Sequence, residues 1–295
     1  MGWLAQLKHN TRYPLNTETV IGRGPSADIR LQERFVSSLH AALTWAAGGW
    51  GVKDLGSHNG TAINGTAIPP GMRCKVEAGD EVSFGQPAAT WTLVDDSPPQ
   101  PYATDTVTGE FTSGRDGLLV LPGHDNPKAA VFAGAVDTWR LEVGDTAEDI
   151  ADRQTVAVDD RSWVVRLPES LGSTRTSHGS RIQLYLSEAQ LTIDVDDDGR
   201  GGSISVDAEA GSFSFPLGTT MMVLEQLARA RTPGSAGWLE REELLDRLSM
   251  TGNGLNVSVF RLRRKFAEAG FADAAQIVER GQRRIRLGTA RVTLR

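Results

Sequence analysis

The sequence predicts a mainly β chain that ends in an α+β part, and three observations support this fold class. From Trp3 to Val94, short apolar runs alternate with turn segments rich in Gly, Pro and Asn, a spacing typical of a β-sandwich or barrel. After Leu217 the apolar period lengthens from two residues to nearly four, which indicates helices. The 295 residues exceed what one hydrophobic core usually organises, so we expect several domains.

Shifts in composition divide the chain into four parts. We predict a β-sandwich domain over residues 1–95, a linker over 96–116, a small all-β module over 117–170 and a C-terminal domain over 181–295. The linker is rich in Pro and then Thr and lacks apolar periodicity. In the module, Trp139 and Trp163 are expected in the core. Its strand-like runs are Leu118 to Leu121, Ala129 to Phe132, Thr138 to Val143 and Thr155 to Leu167.

The C-terminal domain combines a sheet with helices. Its four strand candidates, which indicate an antiparallel meander, are Arg181 to Leu186, Gln190 to Val195, Ser203 to Val206 and Ser212 to Pro216. We then expect a helix capped by Thr219 or Thr220, a second over Leu239 to Leu248, a third from an Asn256 cap to Gly270, and a hairpin of Gln276 to Glu279 with Arg284 to Leu287. Helix, helix, helix, hairpin is the order of a winged helix.

Charge is distributed unevenly along the chain. The net charge is −6, but Pro216 to Arg295 carries fourteen Lys or Arg against eight Asp or Glu, a balance of +6, and Met1 to Phe215 therefore carries −12. A basic C-terminal region inside an acidic chain is suited to a polyanion such as DNA.

Short polar residues and an arginine recur on predicted loops of the first domain. Arg23 offers a forked guanidinium that can hold two phosphate oxygens. Ser37 and Ser38 offer hydroxyl groups. Asn59, on the turn before Gly60, can both donate and accept hydrogen bonds, which suits the backbone of an extended peptide.

Four motifs in one order resemble the forkhead-associated (FHA) domain: Gly22-Arg23, Ser37-Ser38-Leu39-His40, Leu55-Gly56-Ser57-His58-Asn59-Gly60-Thr61 and Asn64-Gly65. The resemblance covers about the first 95 residues. It implies an eleven-stranded β-sandwich whose loops bind phosphothreonine peptides. By that likeness Arg23 and Ser37 would hold the phosphate, Ser38 and His58 would flank it, and Asn59 would bond the peptide main chain. His40 would support the loop geometry.

Two positions depart from the commonest FHA pattern. Ser38 stands where a basic residue is frequent, and His58 stands where threonine, lysine or arginine is frequent. Both changes reduce the fixed positive charge near a phosphate, which carries about −1.5 to −2 charges at neutral pH. Histidine titrates near neutrality. A histidine at position 58 therefore predicts that peptide affinity depends on pH.

The C-terminal residues resemble the DNA-binding domain of OmpR-type response regulators, in which a four-stranded sheet precedes three helices and a wing. The segment from Leu255 to Phe266 is similar to the recognition helix of that class. The resemblance implies DNA contacts, because Arg reads guanine in the major groove and wing arginines meet the backbone. The candidates are Arg261, Arg264 and Lys265 on the helix and Arg280, Arg283, Arg284 and Arg286 on the wing.

Nothing in the sequence indicates an enzyme or a cofactor. Ser37, His40 and Asp54 lack a nucleophile elbow, and neither a Gly-Lys-Ser nor a Gly-Lys-Thr phosphate loop occurs. The single cysteine, Cys74, fits a reducing compartment. No apolar run is long enough to cross a membrane, and we expect a cytoplasmic protein.

Together these features predict a signalling protein that couples phosphothreonine reading to DNA binding. The expected partners are a phosphothreonine-containing protein, either a Ser/Thr kinase or its substrate, and DNA. The alternative is an adaptor whose winged helix binds protein instead. The linker threonines Thr104, Thr106, Thr108 and Thr112 could be internal ligands, and their capture by another protomer would produce a homodimer.

Overall fold

The computed structural model describes residues 1–6, 10–134, 138–144, 146–169, 184–197, 201–209, 211–232 and 234–295. These residues form two compact units. The first comprises Met1–Gln100 with residues 167–169, and the second comprises Pro101–Arg166 with the described residues from 184 onward. Within the described ranges, no helix is long and apolar enough to cross a membrane.

The first unit consists of two sheets. Their strands are β1 Trp3–Gln6, β2 Thr11–Pro14, β3 Glu18–Gly22, β4 Ile29–Arg30, β5 Ala41–Ala46, β6 Gly49–Asp54, β7 Thr61–Ile63, β8 Thr66–Ala67, β9 Arg73–Val76, β10 Glu81–Phe84 and β11 Thr90–Asp95. The six-stranded sheet has the order β2-β1-β11-β10-β7-β8, and the five-stranded sheet has the order β4-β3-β5-β6-β9. Six and five strands agree with the eleven that the FHA resemblance implies.

Alternating apolar residues explain why these strands form a sandwich. Val82 and Phe84 on β10 and Leu43 and Val52 on the facing sheet are fully buried in one cluster, and the other two residues of β10 are more exposed. Alternation with a period of two buries one face of each strand. Between the strands the backbone turns at one end of the sandwich to form the loops that carry the candidate residues.

The second unit begins with two four-stranded antiparallel sheets. Their strands are β12 Tyr102–Asp105, β13 Phe111–Ser113, β14 Leu118–Leu121, β15 Ala129–Ala133, β16 Trp139–Val143, β17 Thr146–Ile150, β18 Thr155–Val158 and β19 Arg161–Arg166. One sheet has the order β13-β12-β19-β18, and the other has the order β14-β15-β16-β17. Trp163 is fully buried as expected, whereas Trp139 is half-buried.

Two sequence predictions for this region differ from the structure. The predicted linker 96–116 contains the hairpin β12–β13, whose Asp105 accepts hydrogen bonds from the backbone of Val107 and Thr108 and pairs with Arg161. The single run predicted from Thr155 to Leu167 is two strands, because the backbone reverses at Asp159, which has a φ of 54°. Turn bonds accepted by Asp105 account for the first difference, and the left-handed backbone at Asp159 accounts for the second.

The hairpin also bears on the hypothesis that the linker threonines are phosphorylated. Thr104 pairs with Phe111 and Val164, and Thr112 pairs with Ala103. A residue in a strand is not presented to a kinase as a flexible segment. Only Thr106 and Thr108 lie in the exposed turn, so the self-association hypothesis loses two of its four residues.

The C-terminal sheet contains β20 Gln190–Val195, β21 Gly202–Ala208, β22 Gly211–Leu217 and β26 Val292–Leu294. The first three strands form the predicted meander. The fourth strand differs from the prediction, because β26 from the end of the chain pairs in parallel with β20. Of the strand predicted from Arg181 to Leu186, residues 181–183 lie outside the described residues, and Leu184 makes an isolated bridge to Phe271.

Three helices and a hairpin follow the meander. They are α1 Met221–Ala230, β23 Leu239–Glu240, α2 Arg241–Leu248, α3 Gly252–Glu268, β24 Val278–Gly281 and β25 Arg284–Leu287. The predicted cap of α3 at Asn256 is wrong, because the side chain of Thr251 accepts a hydrogen bond from the Gly254 N–H and caps a helix that begins at Gly252. Threonine is a preferred N-cap residue because its side-chain oxygen can accept a bond from a backbone N–H of the first turn.

Helix α3 packs on two sides. Leu255, Val259 and Leu262 belong to the core shared with α1 and the hairpin. Phe260, on the neighbouring stripe, joins Leu118 and other residues of β14 and β15 in a separate cluster. The β-module is therefore packed against α3 within the second unit.

Candidate functional site

Three loops meet at one end of the first unit and bring the predicted phosphate-binding residues together. Arg23 follows β3, Ser37 and Ser38 precede β5, and His58 and Asn59 precede β7. The Arg23 N–H donates to the Ser37 carbonyl at 2.9 Å, and the His58 N–H donates to Ser37 Oγ at 3.0 Å. Ser37 is thus the residue that connects all three loops.

Gly22 allows the first two loops to approach each other. A Cβ atom at this position would lie 2.2 Å from the Ser38 carbonyl oxygen, far inside van der Waals contact. Because only glycine lacks that atom, Gly22 fixes the spacing of Arg23 from Ser37 and Ser38.

His40 braces the second and third loops from below. Its Nδ1 accepts a hydrogen bond from the Ser37 N–H at 3.0 Å, so the neutral ring carries its proton on Nε2, which donates to the Gly60 carbonyl at 3.0 Å. Burial lowers the pKa of His40, although the bond to Gly60 and the charge of Asp54 act in the opposite direction. The ring supports the loop backbone, as the FHA resemblance implies.

Asp54 organises the start of the third loop. The carboxylate accepts hydrogen bonds from the Gly56 and Ser57 N–H groups, from the Ser57 hydroxyl and from the Thr61 hydroxyl, at 2.6 to 2.8 Å. Burial alone would raise the pKa of Asp54, but the bonds from Thr61, Ser57 and Gly56 hold it below its ordinary value. An ionised Asp54 therefore fixes the turn that presents His58 and Asn59.

The Arg23 guanidinium is the principal cation of the site. The residue is exposed, its Nε donates to the Val36 carbonyl at 3.3 Å, and no carboxylate pairs with it among the described residues. Ser37 Oγ accepts from His58, which leaves the hydroxyl proton to donate elsewhere. A charged fork beside a hydroxyl donor is suited to a phosphate dianion.

Ser38, His58 and Asn59 surround this pair with different chemistry. All three are exposed. Asn59 Nδ2 donates to the Phe35 carbonyl at 2.8 Å, and Asn59 Oδ1 makes no bond within the described chain. That oxygen can accept an N–H from an extended peptide, which agrees with the predicted role of Asn59.

Two further arginines near these loops are absent from the predicted site. Arg30 Nε donates to the Arg23 carbonyl at 3.1 Å, and Arg34 is exposed on the segment that leads to Ser37. The sequence shows both as basic residues between two motifs, but it does not show on which side of the sandwich they lie. Arg30 therefore places a second positive charge beside Arg23.

The predicted DNA contacts separate into two sets. Arg261, Arg264 and Lys265 are exposed on the side of α3 away from the core, and Arg264 and Lys265 both reach Glu268. On the hairpin, Arg283 and Arg284 are exposed, whereas Arg286 pairs with Glu279 over the ring of Trp238. As expected from alternation, Ile285 and Leu287 face the core.

Arg280 does not face solvent, and the prediction that it contacts DNA is not supported by its position. Its side chain is 9% exposed and lies 3.5 Å from Glu142. It donates to the Gly144 carbonyl at 2.8 Å and to Asn256 Oδ1 at 3.0 Å. Its partner Glu142 lies on β16, more than a hundred residues away in the chain. No local sequence pattern indicates this pairing.

A family model described as the FHA domain matches residues 19–85. This match covers the loops described above and confirms the FHA resemblance of the N-terminal part. No curated protein is significantly similar to the chain.

Several solved structures are similar to the N-terminal part. EmbR of Mycobacterium tuberculosis, in complex with a low-affinity phosphopeptide, is 25% identical, with 32% of this chain and 24% of EmbR covered and a TM-score of 0.30. The FHA domain of CT664 from Chlamydia trachomatis is 26% identical, with 32% and 98% covered and a TM-score of 0.29. The N-terminal FHA domain of S. cerevisiae Rad53p, in complex with a phosphothreonine peptide, is 19% identical, with 31% and 89% covered and a TM-score of 0.28.

Proposed function

We propose that the first unit binds phosphothreonine in a partner protein. The observation that carries this proposal is the exposed Arg23 guanidinium, which lacks an acid partner in the described chain and sits on a loop bonded to Ser37. The FHA match over residues 19–85 supports the same conclusion. Arg23 and Ser37 hold the phosphate, Ser38 and His58 flank it, and Asn59 bonds the peptide backbone. A protein phosphorylated by a Ser/Thr kinase, or the kinase itself, is the partner.

A peptide library tests this function. A degenerate phosphothreonine library, with phosphoserine and unphosphorylated libraries beside it, is offered to wild type, Arg23→Ala and Arg12→Ala. Arg12 is a matched control because it is an exposed arginine on β2, away from the three loops. Loss of a charge-assisted bond costs about 1.5–3 kcal/mol, so we expect affinity to fall at least about tenfold in Arg23→Ala and to stay unchanged in Arg12→Ala. Equal binding by both variants would refute the site.

We also propose that the second unit binds DNA as a winged helix. The supporting observations are the order α1, α2, α3 and hairpin, and the cations that remain exposed on α3 and the hairpin turn. These are Arg261, Arg264, Lys265, Arg283 and Arg284. A basic helix of this kind can enter the major groove while the hairpin arginines contact phosphates. The whole chain would then couple kinase signalling to transcription.

Salt dependence separates DNA binding from the adaptor alternative. The affinity of the full chain for a random-sequence duplex is measured over a range of salt concentrations for wild type, Arg261→Ala and Arg229→Ala. Arg229 serves as control because it already pairs with Glu225 on α1. A steep fall with salt, with a slope reduced by about one in Arg261→Ala, is expected if Arg261 contacts a phosphate. Absence of duplex binding at low salt would favour the adaptor.

A further inference from the structure

A cavity of about 320 Å³ lies in the second unit between α3 and the β-module. Its volume is near the lower end of the range of ligand pockets, about 300–1,000 Å³. Its polar and aromatic lining residues are Ser113, Arg115, Asp116, His124, Phe260 and Arg264. None of these residues belongs to the phosphate-binding loops of the first unit.

The cavity is bordered by two guanidinium groups. Arg115 is exposed and forms no ion pair within the described residues. Arg264 donates from Nε to Glu268 at 2.9 Å. The pKa of His124 is lowered by burial and then by the charges of Arg264 and Arg115, with Asp125 acting in the opposite direction. Both guanidinium groups are therefore close enough to the His124 ring for their charges to act on its pKa.

One wall of the cavity is aromatic and apolar. The rings of His124 and Phe260 lie 4.9 Å apart, inclined by 32°. Phe260 is held in a buried cluster with Leu118, Val120 and Phe132, so this wall is fixed by the packing of α3 on the module. Asp116 contributes one carboxylate that can accept a bond from a ligand hydroxyl or amine.

We infer that this cavity binds a small organic anion whose charged group lies between Arg115 and Arg264 and whose planar or apolar part contacts His124 and Phe260. Charge-assisted bonds from arginine supply affinity for the anion, and a preformed aromatic wall supplies affinity for a ring. Because α3 contributes Arg264, which is also a proposed DNA contact, and the segment between β13 and β14 contributes Arg115, the ligand would bridge α3 and the segment that leads into the module.

Phenyl phosphate and benzoate are suitable probes, because they share a ring and differ in the anion. Both are titrated calorimetrically into the full chain carrying Arg23→Ala, which removes the proposed phosphate site of the first unit. Saturable binding of at least one probe, weakened about tenfold by Arg115→Gln and by Arg264→Gln, is expected from loss of one charged hydrogen bond. Arg247→Gln, on the exposed face of α2 beside Glu243, is the control and should bind as the parent does.

The outcomes separate this inference from the function proposed for the first unit. Binding that appears only when Arg23 is intact would assign the anion to the first unit and overturn the inference. Binding that is equal in Arg115→Gln and Arg247→Gln would do the same. Inorganic phosphate provides the last comparison: if it binds as tightly as phenyl phosphate, the aromatic wall contributes nothing and the cavity is not an organic-anion site.

Discussion

Arg23 of the first unit and Arg263 of the second unit have opposite surroundings. In the first unit, Arg23 is exposed and unpaired by any carboxylate of the described chain, and its position is set by backbone bonds. In the second unit, Arg263 is 2% exposed and forms two 2.8 Å bonds with a Glu142 carboxylate that is 5% exposed. Arg263 also lies 4.4 Å above the Phe132 ring and donates to the Val278 carbonyl.

This difference shows that the surroundings of an arginine, rather than its motif, determine its role. Gly22-Arg23 and Arg280-Gly281 look alike in sequence, as a basic residue beside a turn. Arg23 keeps its charge available for a phosphate. The charges of Arg280 and Arg263 are instead paired with Glu142, and these ion pairs join α3 and the hairpin to the β-module.

The largest expected effect comes from removing that acid. Burial alone would raise the pKa of Glu142, but Arg263 and Arg280 hold it below its ordinary value, so the group is ionised at neutral pH. Glu142→Ala leaves two buried guanidinium groups without an anion. Removing one partner of a buried pair costs about 3–5 kcal/mol of unfolding free energy, which urea unfolding of the second unit should measure.

Asp149→Asn is the matched control for this substitution. Asp149 lies on the adjacent strand β17 and pairs with Arg140 at 3.2 Å, but the two side chains are 70% and 38% exposed. An exposed pair contributes about 0–1 kcal/mol. Similar losses in both variants would contradict the conclusion that burial makes the Glu142 contact structural.

Crowding of the loop backbone is the second way to test the comparison. In Gly22→Ala the new Cβ would lie 2.2 Å from the Ser38 carbonyl oxygen and must displace it. Overpacking of this kind typically costs about 1–3 kcal/mol of unfolding free energy. Phosphopeptide affinity should fall as well, because Ser37 and Ser38 move away from Arg23. Gly49→Ala, where a Cβ meets no atom within 4 Å, should change neither the urea midpoint nor the affinity.

A smaller effect is expected from Arg23→Lys. Lysine keeps the positive charge but replaces a planar fork by a point charge. We expect phosphopeptide affinity to fall about tenfold, or about 1.4 kcal/mol, with unchanged stability. Arg12→Lys is the control. Full affinity in Arg23→Lys, measured by titration calorimetry, would mean that the guanidinium does not hold the phosphate through two bonds.

Local patterns predict the first unit well. Period-two alternation and closely spaced turns indicate its sandwich, and the separated motifs locate Arg23, Ser37, His58 and Asn59 on loops that the structure brings together. These features are predictable because they depend on neighbours in sequence. Hairpin β24–β25, with its turn at Gln282 and Arg283, follows for the same reason.

Long-range pairing accounts for most of what the sequence does not reveal. The parallel pairing of β26 with β20 joins residues about a hundred positions apart. The contact of Arg263 with Glu142 spans a similar distance, and nothing near either residue indicates its partner. The hairpin in the predicted linker is a different case. The contact between Asp105 and Arg161 stabilises it, but the Pro- and Thr-rich composition of the segment predicts an irregular linker.

The last and smallest expected effect concerns the neutral ring that braces the loops of the first unit. Because burial lowers the pKa of His40 in the folded chain, the unfolded chain binds a proton more readily, with an ordinary pKa of about 6.5. The stability that the neutral ring contributes is therefore complete above about pH 6.5 and is lost as the pH falls below it. Protonation removes the Nδ1 acceptor of the Ser37 N–H.

Urea unfolding followed through amide signals of β5 and β6, at about pH 7.5 and about pH 5.5, should show a smaller loss of unfolding free energy on acidification in His40→Gln than in wild type. His58→Gln, a change of an exposed ring, should retain the wild-type loss; a loss unchanged in His40→Gln would remove His40 as the titrating brace.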